Sequence, residues 1–251
     1  MAMAILLFAA ACIVIYPIYI ALCSNRYLAM GILLVQIIYA LFFTVEYSII
    51  FVLKYLVVNI TTFLILGSRI FVGSSVFRRF AVVFLALNIL MVLPAEFLSV
   101  GILPKVNSLI GCCLGLYVFF KMRDTDVEKT YPHTFFFDVH FPFLISYALW
   151  NMALQMKYLN DKFLFCYLLG MVPPLAHSVM KRNSKMFAMN RMIMLSLIVF
   201  IFVVLQNHEY LRKYFLYEES LYILSIGHVY TTAVCMSICA FIFFLITQYK
   251  K

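Results

Sequence analysis

Charge is what this sequence has least of. Only 12% of its residues are Asp, Glu, Lys or Arg, against 66% hydrophobic, where a soluble domain carries about 25% charged and about 45–50% apolar residues. A water-soluble fold of 251 residues could not cover that much apolar surface, so a soluble globular domain is excluded. Acids are the scarcer sign, ten against 19 basic residues, for a net charge of +9. Such an excess can mark a nucleic-acid binder, but that would need a soluble surface to carry the patch. Basic loops at one face of a membrane account for it better.

Other absences narrow the class further. The seven cysteines (Cys12, Cys23, Cys112, Cys113, Cys166, Cys235, Cys239) all lie in apolar segments and form no CxxC pair. That leaves neither a disulfide framework nor a zinc knuckle, and the thiols read as small hydrophobes. No ten-residue alternation of apolar and polar positions occurs, which excludes a lipid-facing β-barrel. The intervals between apolar runs reach only about 15 residues, too short for a catalytic domain outside the membrane. There is no fixed-period repeat and no low-complexity tract. No basic segment precedes the first apolar run, and "IALC" has leucine where a lipoprotein signal needs a small residue, so the first 24 residues read as a retained helix.

What is present is a series of apolar runs of the length a helix needs to cross about 30 Å of hydrocarbon. The fold class expected is therefore all-α, a polytopic transmembrane helix bundle forming a single domain over 1–251 with the lipid bilayer as its solvent. The runs are 2–23, 27–47, 48–69, 80–100, 105–120, 136–156, 163–180, 186–206 and 221–248. These make nine spans, or eight if the apolar stretch 27–69 does not divide in two. With the N-terminus outside, Arg26, Arg69, Arg78, Arg79, Lys121, Arg123, Lys129, Lys181, Arg182, Lys185, Lys250 and Lys251 fall inside, and only Lys105, Lys157, Lys162, Arg212 and Lys213 outside. Twelve against five predicts an N-out, C-in chain.

Ionisable and polar groups at bilayer depth cost about 2.5–3.5 kcal/mol to insert and are candidates for function. Toward the outer side these are Glu46, Lys54, Glu96 and His228. Lys54 either snorkels to the surface or pairs with Glu96 or Glu46. His228 shares a small, polar helix face with Ser225, Thr232, Cys235 and Cys239, which predicts helix–helix packing. Toward the inner side are Asp138, His140, His177 and Arg191. Pro142 suits the first turn of a helix, leaving Asp138 and His140 in an extended lead-in. Behind it Tyr147, Asn151 and Gln155, at four-residue steps, form one polar stripe. Pro173 and Pro174 should break their helix and free carbonyls for an ion or substrate. Two histidines and a carboxylate could ligate a metal, yet the spacing matches neither HxxxH nor HExxH, so no metal is assigned and no cofactor is indicated. Gly111 and Gly115 form a GxxxG step where a neighbouring helix should approach closely.

Three stretches, "FAVVFLALNILMVLPAEF", "ISYALWNMALQ" and "NDKFLFCYLLGMVPPLAHSVMKRNSKMFAMNRM", together resemble an uncharacterised family of bacterial multi-pass membrane proteins. The shared features fall on Tyr147, Leu149, Trp150 and Asn151, then on Asn160 and Asp161, Pro174, and Lys181 and Arg182. The resemblance implies a bacterial inner-membrane location and no particular activity. From the residues themselves the first expectation is a transporter or channel for a small molecule or ion. The second is an embedded enzyme acting on a lipid or polyprenyl substrate, and the third a structural or sensory membrane subunit.

Overall fold

The computed structural model describes residues 2–43, 49–72, 74–91, 93–121, 126–127, 134–137, 139–158, 161–207 and 226–249. They form the helices α1 (Ala2–Ser24), α2 (Arg26–Phe43), α3 (Ile49–Ile70), α4 (Ser75–Leu90), α5 (Leu93–Phe97), α6 (Ile102–Lys121), α7 (Phe141–Tyr158), α8 (Asp161–Met180), α9 (Phe187–Asn207) and α10 (Ile226–Tyr249). Strands β1 (Asp126–Val127) and β2 (Phe135–Phe136) make a two-residue antiparallel ladder, with Val127 opposite Phe135. Among the described residues, three stretches are long and apolar enough to cross a membrane: Ile102–Phe120, Ser184–Ile201 and Tyr230–Tyr249. Tyr55–Ile70, Phe141–Leu154 and Leu168–Met180 are apolar but shorter.

The apolar stretch 27–69 does form two helices, α2 and α3, on either side of residues 44–48. The run 80–100 differs from expectation. Its helix starts earlier, at Ser75, so Arg78 and Arg79 lie in the first turns of α4 rather than in a loop. It ends at Leu90, and α5 follows as a separate five-residue helix. Pro94 explains the break, because it has no N–H to give to the Leu90 carbonyl four residues back, yet its φ suits the first turn of a new helix.

One residue separates α1 from α2, and the two helices are bent by 112° there. Asn25 makes the corner possible. Its Oδ1 accepts the N–H groups of Tyr27 and Leu28, both at 3.1 Å, which satisfies two donors of the new helix as an N-cap should. Arg69, fully buried at the end of α3, donates to Cys23 O at 2.7 Å, and Arg26 donates to Arg69 O. Both cations thus sit on carbonyls at helix C-termini, the negative end of the dipole.

The helix ends carrying Arg26, Arg69 and residues 181–185 gather at one end of the molecule, as the Arg69–Cys23 bond and a 3.2 Å Tyr16–His177 contact require. α7 leaves that end and α10 returns to it, since Phe143 lies against Phe244 while Ala153 packs with Ala233. Between them the extended segment around β2 fills the basic end. Phe135, Phe137 and Val139, at period two, are all buried. Phe137 N donates to Lys185 O at 3.0 Å, Ser184 Oγ to Val139 O at 2.5 Å, and Phe135 N to the Met189 sulfur at 3.3 Å. Extended backbone is tolerated inside a bundle only when its polar groups are satisfied in this way.

Candidate functional site

Two polar features meet on α9, and helical geometry places them on different faces. Arg191 and Ser196 are five residues apart, about 140° around the axis at about 100° per residue.

On one face, Ser196 Oγ lies 2.7 Å from Gln36 Oε1 and 2.8 Å from Asn59 Oδ1. All three residues are buried, and each stands about midway along its helix, α2, α3 or α9. A serine hydroxyl has one proton, so it donates to only one of those carbonyls; the other amide must turn its NH2 group to the serine oxygen. The seam continues along α3. The Thr62 hydroxyl lies 2.8 Å from Val58 O and 3.2 Å from Met192 O, and Tyr55 Oη donates to Gln36 O at 2.9 Å. Neutral groups that bond each other across helices are the usual polar adhesive of an apolar bundle.

The other face of α9 meets α8, where the sequence predicts a break. There is none: α8 runs unbroken through Pro173 and Pro174. Proline's φ fits a helix; what it removes is a donor. Gly170 O would ordinarily accept from the N–H four residues on, or three in a tight turn, and both positions are proline. Arg191 Nη1 supplies the missing donor at 3.0 Å. Gly170 itself leaves the path open, since a Cβ there would come within 2.9 Å of Arg191 Nη1. Of the carbonyls expected to hold an ion or substrate, that of Gly170 is therefore taken by the protein's own Arg191, a residue 2% exposed.

Arg191 and Tyr147 also share a cavity of ≈ 20 Å³, walled by Phe143, Phe187 and aliphatic side chains. That is room for about one water molecule. Tyr147 and Asn151 are both buried and bonded to each other, Asn151 Nδ2 donating to Tyr147 Oη at 3.2 Å. The cavity thus joins Arg191 to Tyr147, whose hydroxyl holds Asn151, while His177 lies elsewhere. His177 Nδ1 lies 3.2 Å from Tyr16 Oη, with the Tyr19 ring edge-on at 5.9 Å. His140 precedes α7 and its carbonyl accepts the Leu144 N–H, in keeping with an extended lead-in.

At the opposite end Glu96, fully buried, accepts from Asn107 Nδ2 at 2.7 Å, and Asn107 O accepts the indole N–H of Trp150 at 2.9 Å. This chain ties α5, α6 and α7 together. The GxxxG step serves it directly. A Cβ on Gly111 would come within 2.5 Å of the Trp150 ring, and one on Gly115 within 2.6 Å of Leu90. Glu46 and Asp138 lie outside the described residues, as do the side chains of Lys54, Gln155 and His228. The small polar face of α10 contradicts its expectation. Cys235 and Cys239 are exposed and Thr232 also faces outward; α10 packs through Ala233, Val234, Ser237, Ala240 and Phe244. The buried stripe is itself largely small, Ala233, Ser237 and Ala240, with Ala233 meeting Ala153 of α7, while Met236, Ile242 and Phe243 are exposed. No group of three or more His, Cys, Asp or Glu among the described residues could hold a metal ion.

Sequence reasoning that ranked charged groups missed Gln36, Asn59, Ser196 and Asn107. The available signal was an uncharged amide or hydroxyl in the middle of an apolar run. Comparison of the chain with protein-family models, curated proteins and solved structures returns no match.

Proposed function

We propose that this is a multi-pass protein of a bacterial inner membrane, N-out and C-in, that moves a small ion or polar solute across the bilayer. The carrying observation is the Gln36, Asn59 and Ser196 cluster, a patch of donors and acceptors halfway along three apolar helices. Polar groups at the bilayer midplane, where helices of different hairpins cross, are where secondary transporters hold their cargo. The gathering of Arg26, Arg69 and residues 181–185 at one end, with Glu96 at the other, supports the orientation. On this reading the closed bundle is an occluded state, with the extended residues 134–137 sealing the inner end.

The test is flux in proteoliposomes, using a panel of monovalent cations and small neutral solutes. Wild type should exceed empty vesicles for at least one solute, and Asn59→Leu should reduce that flux at least tenfold while remaining monodisperse in detergent. Flux equal to empty vesicles across the panel would sink the reading. A subunit role is the second reading, favoured by the outward Thr232, Cys235 and Cys239 face. It predicts intermolecular cross-linking at Cys235 in native membranes.

A further inference from the structure

The turn joining α8 to α9 has an unusual backbone for its sequence. Asn183 N donates to Ser178 O and Arg182 N to Val179 O, both at 2.9 Å. That pair of bonds is a Schellman ending, whose C′ residue must be left-handed and is ordinarily glycine or asparagine. Here it is Arg182, at φ 50°, alone among the non-glycine described residues in having a positive φ. Strain of this kind persists where surrounding bonds over-determine it, and is a reason to ask what the side chain does.

The surroundings do fix it. The Asn183 side chain accepts from Lys185 N at 3.1 Å, while Ser184 and Lys185 are bonded to Val139 and Phe137. A rigid turn therefore holds out three exposed cations, Lys181, Arg182 and Lys185. Directly before them the last turn of α8 exposes Val179 (54%) and Met180 (74%). Apolar side chains giving way to three cations within a few residues match the boundary between acyl chains and headgroups. A soluble polyanion would have no use for the exposed Val179 and Met180.

We propose that residues 181–185 bind the phosphate headgroup of an anionic phospholipid, with Arg182 held in its strained conformation to point its guanidinium at the phosphate. Arginine suits this because its fork can engage two phosphate oxygens at once. The proposal needs this end of the bundle to lie at a membrane face, but not that the protein transports anything.

The experiment is native mass spectrometry of the full chain in detergent, offered dioleoyl phosphatidylglycerol or the matching phosphatidylcholine. Wild type should retain the anionic lipid preferentially. The triple variant Lys181→Gln, Arg182→Gln, Lys185→Gln should bind it about 100-fold more weakly, taking each basic residue as worth about fivefold near a lipid surface. Arg182→Lys should fall between them, and Lys105→Gln, at the other end, should match wild type. Raising the salt should weaken wild-type retention, which gives a reading even if the triple variant does not fold. Equal retention of both lipids, salt-insensitive binding, a triple variant like wild type, or full displacement by millimolar inorganic phosphate would each overturn the proposal.

Discussion

The two faces of α9 solve the problem of burying polar groups in opposite ways. Toward α2 and α3, Ser196 joins Gln36 and Asn59 in a neutral network in which each member can bond another. Toward α8, Arg191 brings a full charge to answer a defect in the backbone, the Gly170 carbonyl left bare by two prolines. Neutral side-chain bonds between membrane helices average about 0.6 kcal/mol, at most about 1.7. Removing a buried, charge-assisted partner costs more, about 2–3 kcal/mol, because a desolvated carbonyl is left behind. The same helix is therefore adhesive on one side and indispensable on the other.

Arg191→Met should show the largest effect, a loss of about 2–3 kcal/mol read as a lowered unfolding midpoint in detergent. The sharper test adds Pro174→Ala, which returns the N–H that Gly170 O lacks. If the carbonyl is the reason for the arginine, Pro174→Ala should recover at least about 1 kcal/mol in the Arg191→Met background and far less in wild type. Equal effects in both backgrounds would break the comparison. Gly170→Ala comes next. Elsewhere in a helix it would stabilise by about 1 kcal/mol; here the Cβ displaces the guanidinium, and a net loss of about 1–2 kcal/mol is expected. Ser196→Ala should cost only about 1 kcal/mol, and a loss as large as that of Arg191→Met would erase the distinction. Smallest, and opposite in sign, Arg182→Gly should add about 0.5–1 kcal/mol of stability, read as a raised midpoint, through relief of the left-handed backbone.

The helices themselves were legible, because unbroken apolar runs leave the chain few alternatives in lipid. So was the close approach at Gly111 and Gly115, where missing side chains announce a neighbour. The break at Pro173 and Pro174 was misread for a physical reason. Proline's effect depends on whether another element can serve the orphaned carbonyl, and that element, Arg191, lies 21 residues away. The Gln36, Asn59 and Ser196 cluster was invisible for a related reason. Each residue alone is an unremarkable polar interruption, and only helix crossing makes a cluster of them. Along α10 two stripes of small residues lie side by side, Thr232, Cys235 and Cys239 beside Ala233, Ser237 and Ala240, and a one-dimensional reading favoured the wrong one.

The extended segment around β2 also constrains how the protein is made. Its buried rings are closed over by residues emitted much later: Phe135 bonds to Met189, 54 positions downstream, and Val139 to Ser184, 45 downstream. At about 5–20 residues per second, the segment waits a few to ten seconds on the ribosome with "FFF" uncovered. During that interval it is a target for chaperones and for its own neighbours on a polysome. Completion of the basic end must then await the arrival of α9, so a chain stalled before residue 184 would leave the cell with an open, adhesive intermediate to clear.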